Sequence, residues 1–269
     1  SVLRPLYELE EKGIISLTVC SPYLEDIKNQ IQDNTRMVIM THSSNVTGEI
    51  FDVDLIGKYC HKLGILFMVD AAQSAGHIPV SMENIDVLCF SGHKGLLGIG
   101  GIGGFCLKDI ELKPLISGGT GIDSFNPHMP EAYPEHLEAG TQNLVGIAAL
   151  NAGIKYVLEN QKAIMEKEYF LLQKLYEGLT GYVEFYSSLD NSTPIVAINI
   201  PGKDSAYVSD VLNYKYGMVT RCGAHCAPLM HKHLKTEERG IVRLSLSFQN
   251  ALEEIDFVIR AIREISNDY

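Results

Sequence analysis

Two residues of this 269-residue chain stand where covalent chemistry on an aldehyde or ketone needs them. Asp70 closes the apolar run Ile65–Val69, and Lys94 follows the apolar run Val87–Phe90 by four residues. An amine can add to a carbonyl carbon, and a carboxylate can keep a heteroaromatic nitrogen protonated so that its ring accepts electrons. Gln73, in Val69-Asp70-Ala71-Ala72-Gln73, and Asn45, in Ser44-Asn45-Val46-Thr47-Gly48, supply amides able to bind a ring oxygen. Ser91 and His93, in Ser91-Gly92-His93-Lys94, are donors suited to a phosphate dianion. Taken singly, an Asp at a strand end is most often a turn or cap residue, and a lone Lys is most often a solvated charge. The ordered combination carries the reading.

An α/β order of elements is expected to position these groups. Met37–Thr41 reads as a buried strand. Asp52 to Leu63 carries Val53, Ile56, Tyr59, Cys60 and Leu63 at helical spacing, with Gly64 as a stop. Ile65–Val69 and Val87–Phe90 read as further strands, which puts Asp70 and Ser91 at carboxyl ends, where open α/β sheets collect binding residues. Gly104–Leu107 reads as another strand, and Gly146 to Thr180 as one long helix or two in succession, with Gly153 and Gln161 as soft points. Beyond Tyr182 the pattern becomes strand (Ile195–Ile200), helix (Asp204–Tyr216), strand (Ile241–Ser247) and helix (Leu252–Ile265). The expected organisation is a large α/β domain over residues 1–155 with a mostly parallel sheet, then a smaller α+β domain over residues 156–269.

Composition narrows the classes. With 46% hydrophobic residues the chain can bury a sizeable core. A net charge of −11 leaves no basic excess to neutralise phosphates, which argues against a nucleic-acid partner. Its longest apolar runs fall far short of a membrane span. The six cysteines are too few for a disulfide scaffold. Cys20, Cys60, Cys89 and Cys106 sit in apolar sequence, so free thiols in a reducing cytosol are expected. Ser1 opens directly into a mixed, charged segment with no signal peptide, and an N-terminally truncated chain is expected. Gly98-Ile99-Gly100-Gly101-Ile102-Gly103 satisfies G-x-G-x-x-G, but that pattern needs a strand before it and a helix opening within it. A loop precedes it and a strand follows, so a nicotinamide site is excluded and these glycines are expected to pack closely beside Lys94.

The groups gathered around Asp70 and Lys94 are those that pyridoxal 5′-phosphate (PLP) demands: a lysine amine, a carboxylate for the pyridine nitrogen, and donors for O3′ and the phosphate. The three motifs above resemble the core motifs of class V aminotransferases, which adopt PLP fold type I. Glu138-Ala139-Gly140-Thr141 resembles the family segment whose threonine binds the phosphate of a neighbouring subunit's cofactor. The resemblance runs in order from about residue 1 to residue 260. It implies a homodimer, with Thr141 reaching across the interface.

Arg221-Cys222-Gly223-Ala224-His225-Cys226-Ala227-Pro228 resembles the active-site loop of cysteine desulfurases with a short catalytic segment, in which the second cysteine, here Cys226, takes sulfur from the substrate. A free thiol is only a few per cent thiolate at neutral pH, and His225 or Arg221 is expected to stabilise the anion. Arg243, in Val242-Arg243-Leu244-Ser245-Leu246, matches the family arginine that grips the substrate α-carboxylate through a bidentate fork. The resemblance thus implies a PLP-dependent enzyme acting on cysteine or selenocysteine, with Lys94, Asp70 and Cys226 catalytic and a sulfur-acceptor protein as partner. Asn45 and Arg221 join Arg243 in substrate binding. A class V aminotransferase and a non-catalytic scaffold for sulfur carriers stay open as alternatives. Cys222, His225, Cys226, His231 and His233 also offer zinc-type ligands, though their spacing matches no paired C-x-x-C framework; His231 and His233 read more simply as polar surface residues. Family members carry a stretch before the position of Ser1, with a phosphate-cupping loop and a ring-stacking histidine, so this chain alone is expected to bind PLP weakly or not at all. Ala251 also stands where the family commonly has Thr.

Overall fold

A computed structural model describes residues 1–268. After two short helices, α1 (Leu3–Glu11) and α2 (Leu24–Gln30), the chain runs β1 (Met37–Thr41), α3 (Val53–Lys62), β2 (Leu66–Asp70), β3 (Val87–Ser91) and β4 (Gly103–Leu107). These strands form one sheet in that order: β1, β2 and β3 are parallel, and β4 is antiparallel to β3. Helix α3 begins where expected because the Asp52 carboxylate accepts the Leu55 N–H as an N-cap. It buries Val53, Ile56 and Cys60 against Phe67 and Val69 of β2. Strand β2 closes at Asp70 and β3 at Ser91, so both side chains emerge at the carboxyl edge of the sheet.

Next comes α4 (Leu144–Leu179), one continuous helix of 36 residues and about 54 Å. Neither Gly153 nor Gln161 interrupts it, so the two-helix alternative is set aside. The reason for Gly153 is proximity: a Cβ there would sit 2.1 Å from the Leu96 carbonyl oxygen, two residues past Lys94. The C-terminal half of α4 packs on a second, antiparallel sheet of β5 (Glu184–Phe185), β6 (Ile195–Asn199) and β7 (Val242–Ser245), flanked by α5 (Ser205–Tyr216), α6 (Pro228–Leu234) and α7 (Leu252–Asn267). Leu171, Leu175 and Leu179 of α4 meet Val196 and Ile198 of β6 and Ile255 and Ile262 of α7 in its core. Each such side chain contributes about 1.5–3 kcal/mol of burial. Residue 155, the expected boundary, lies inside α4, whose C-terminal half belongs to the core of the second sheet.

The turn Asn45–Gly48 joins the two sheets. Thr193 donates its N–H to the Gly48 carbonyl, and the Ser43 and Thr193 hydroxyls are 2.9 Å apart. Gly48 has φ +75°, and a Cβ there would stand 2.9 Å from the Thr193 carbonyl oxygen, so only glycine fits this seam. Three features of the fold differ from the sequence expectation. The glycine run beside Lys94 is packed only in part: Gly98 lies against the Gly92 carbonyl, whereas Gly100 and Gly101 face open space. Of the four cysteines expected in apolar surroundings, only Cys60 is buried; Cys20 and Cys106 are exposed. Strand β7 stops at Ser245, because beyond it Leu246 meets Pro194, which accepts its N–H at 2.8 Å but has no N–H to continue the ladder.

Gly153→Ala should force the Lys94 loop away from α4 and lower stability by about 1–3 kcal/mol. Urea unfolding measures it, and an unchanged midpoint would show that the contact is not close.

Candidate active site

Lys94, Gln73 and Arg243 line one cavity of about 330 Å³, closed by Ile164 and Glu168 of α4, by residues 193–195 and by the loop 245–248. The cavity lies between the carboxyl edge of the first sheet and β7 of the second. Lys94 is open to solvent as a side chain, yet partial desolvation of its amine lowers its pKa. The nearby Asp70 carboxylate opposes that shift, and the Arg243 guanidinium reinforces it. Asp70, outside the cavity wall, thus still acts on Lys94 through its charge. One Asp70 oxygen accepts the Ala72 N–H at 2.9 Å, which fixes the carboxylate. A larger groove of about 990 Å³ beside β4 is lined by Asp109, Glu111 and Glu138 but carries no amine or thiol.

Arg243 sits mid-strand and half-buried, as its apolar neighbours implied. Its Nη1 donates to the Asn45 carbonyl at 2.7 Å, and its Nε is buried with no partner. Burial, then repulsion from Arg221, lowers its pKa. The two arginines are adjacent because Arg221 and Arg243 form an antiparallel bridge. Two guanidiniums side by side, one with an orphaned donor, make a site that an anion such as a carboxylate would stabilise. With the lysine, the carboxylate and the amide, this donor set fits a PLP-bound amino acid.

The same bridge carries the cysteine loop. Cys226 is an exposed free thiol with its Sγ 3.9 Å from Arg221 Nη2. His225 and Cys226 both have left-handed backbones, φ +50° and +57°, so the loop needs outside support. Asn45 supplies part of it by donating its amide to the His225 carbonyl at 2.9 Å. A buried histidine pair supplies the rest. The His225 and His231 rings stack with centroids 5.6 Å apart and planes 9° apart. Burial pushes His225 down to about 4, so it is neutral at pH 7 and gives Cys226 no positive charge. The expectation that His225 stabilises a thiolate is corrected; Arg221 alone is placed to do so.

The proton order follows from the partners. His225 Nε2 faces the Arg221 carbonyl, which only accepts, so Nε2 carries the proton and Nδ1 is an acceptor. His231 Nε2–H therefore donates to His225 Nδ1 at 3.4 Å, and His231 Nδ1 accepts the Thr236 hydroxyl at 2.9 Å. His231 is 2% exposed, which overturns its reading as a surface residue; His233 is exposed. Helix α6 places it there, beginning on Pro228 at the first turn. Among the described residues no three His, Cys, Asp or Glu side chains gather as a metal site, and all six cysteines are free.

The remaining expected residues are placed as follows. Ser91 Oγ lies 3.3 Å from His93 Nδ1, so the pair forms one polar cluster at the end of β3. Thr141 is exposed and does not line the cavity. His77 and Glu168, which sequence reasoning missed, both line it. Glu168 had a readable signal, a charge on the apolar stripe Ile164, Leu171, Leu175, Leu179; His77 had none. No described helix is long and apolar enough to cross a membrane.

A sequence profile of the family Aminotransferase class-V matches residues 8–258. The chain is 36% identical over 251 residues to a probable cysteine desulfurase of Methanothermobacter thermautotrophicus, covering 89% of this chain and 63% of that protein. It is 35% identical to a probable cysteine desulfurase of Pyrococcus abyssi, covering 90% of this chain and 62% of that protein. The chain thus spans less than two thirds of the length of both relatives. An apo cysteine desulfurase structure from Thermococcus onnurineus superposes with a TM-score of 0.90 at 32% identity, covering 98% of this chain and 69% of that one.

Thr236→Val should leave the buried His231 Nδ1 without its donor and cost about 1–3 kcal/mol. An unfolding midpoint equal to that of the wild type would show that the Thr236–His231 hydrogen bond does not hold the loop.

Proposed function

The chain belongs to the Aminotransferase class-V family, and from that premise we propose that the intact protein is a PLP-dependent cysteine desulfurase. One observation carries this reading: Lys94, Gln73 and Arg243 line a single cavity whose wall is bridged, through Arg243 and Arg221, to the loop that presents Cys226. The likeness to cysteine desulfurases in sequence and fold supports it.

When bound, PLP would draw electrons from the α-carbon of an attached amino acid. Lys94 would hold the cofactor and then move the α-proton, a task suited to an amine whose pKa is lowered by desolvation. Asp70 would keep the proton on the pyridine nitrogen, while Gln73, on the cavity wall, and Asn45 would bind the ring oxygen. Ser91 and His93 would bind phosphate. Arg243, with Arg221 beside it, would hold the α-carboxylate of the substrate. The Cys226 thiolate would attack the substrate sulfur: an S–S bond forms, the substrate C–S bond breaks, and the carbon skeleton leaves as alanine. Sulfur then rests on Cys226 as a persulfide, exposed for an acceptor protein. Thr141, exposed and away from this cavity, would serve the site of a second copy.

The test incubates intact protein with PLP and cysteine and measures both alanine and the Cys226 persulfide by mass spectrometry. A keto acid without persulfide would contradict the reading and favour an aminotransferase. Cys226→Ser should lower desulfuration at least about 10³-fold and keep selenocysteine lysis; undiminished desulfuration would remove Cys226 from the mechanism. Asp70→Ala should lower alanine formation at least about 10²-fold, and wild-type turnover in that variant would refute its role.

A further inference from the structure

Glu168 is a buried acid that the chemistry above does not use. It is 4% exposed on a stretch of α4 that otherwise presents Ile164, Leu171 and Leu175 to the interior. An apolar residue would fill that place without the desolvation cost of a charge. Its carboxylate instead joins two segments. Both oxygens lie close to His77 Nδ1, at 3.1 and 3.0 Å, and Oε1 accepts the Phe248 N–H at 3.3 Å. A carboxylate only accepts, so His77 Nδ1 carries a proton. The His77 ring backs onto Gly95: a Cβ there would meet Cδ2 at 2.9 Å and Nε2 at 3.0 Å. Gly95 follows Lys94 directly, and Phe248 lies five residues after Arg243 in the loop leaving β7. His77, Lys94, Gly95, Glu168, Arg243 and Phe248 all line the 330 Å³ cavity.

We propose that Glu168 is a positioning residue that sets the separation of Lys94 and Arg243, holding His77 behind the lysine loop and Phe248 behind the arginine strand with one carboxylate. The inference rests on the reading of Lys94 and Arg243 as opposite walls of one active cavity. Loosening the clamp hydrates the partly desolvated Lys94 amine further and lets Arg243 move away from it, while the Asp70 carboxylate still supports its charge. Both changes return the amine toward ordinary lysine behaviour.

The test follows acetic-anhydride labelling of Lys94 against pH in the intact protein without PLP, read by peptide mass spectrometry, together with KM for cysteine in the PLP-loaded protein. Two variants are compared: Glu168→Gln, which keeps shape but loses one acceptor, and the double change Glu168→Leu with His77→Leu, which removes the buried pair and leaves no unpaired charge, at the cost of the Phe248 N–H bond. In both, the Lys94 labelling midpoint should rise by about half a pH unit or more, and KM should rise about tenfold. A midpoint and KM equal to wild type would overturn the proposal, and so would a change in only one of them, since the clamp couples the two sides. A merely structural role would move melting temperature and leave both readouts in place. Protection of Lys94 by added PLP in the wild type reads the functional assignment separately, so the two ideas fail by different results.

Discussion

The approach of a lysine amine and an arginine guanidinium across a narrow cavity, with a single aspartate to offset them, is the constraint on which this structure turns. Lys94 stands where desolvation and Arg243 disfavour its charge and Asp70 alone supports it. Arg243 in turn is crowded by Arg221 and keeps a buried donor unpaired. A folded chain rarely holds such an excess of positive charge without an anionic ligand to complete it. The electrostatics therefore favour an anion in the cavity and lower the proton affinity of the lysine beside it, which helps an amine bond to a carbonyl carbon.

Close backbone packing and buried hydrogen bonds together hold these groups. The Lys94 loop is wedged between helix α4 at Gly153 and the His77 ring at Gly95, two places with no room for a Cβ. The Cys226 loop is held from below by a hydrogen-bonded chain, Thr236 to His231 to His225 to the Arg221 carbonyl, while its outer side is left to solvent. The thiol is exposed, so its loop takes its order from the buried side. Arg221 belongs to both arrangements, which ties the thiol to the pair of guanidiniums.

Much of this was legible in the sequence because it depends on local rules. Asp70 and Ser91 end their strands as the apolar runs implied, and Asp52 caps α3 at the expected residue. The parallel sheet followed from strand and helix alternation, and the four ordered motifs carried the family. What escaped was set by contacts distant in sequence. His231 looked like a surface residue because Lys232 and His233 beside it are exposed; its burial depends on α6 settling beneath the cysteine loop. His225 looked like a source of positive charge, and only its depth shows that it is neutral. Gly153 looked like a soft point in α4, whereas the carbonyl that requires it lies 57 positions earlier in the chain, at Leu96. His77 and Glu168 are 91 residues apart, and no periodicity pairs them.

The central claim is that Lys94 is the one amine conditioned to bond with PLP. Borohydride reduction of the intact protein after incubation with PLP, followed by peptide mapping, tests it most directly. The account predicts a single reduced adduct, on Lys94, that is lost in Lys94→Ala. Adducts spread over surface lysines with Lys94 unmodified would contradict it.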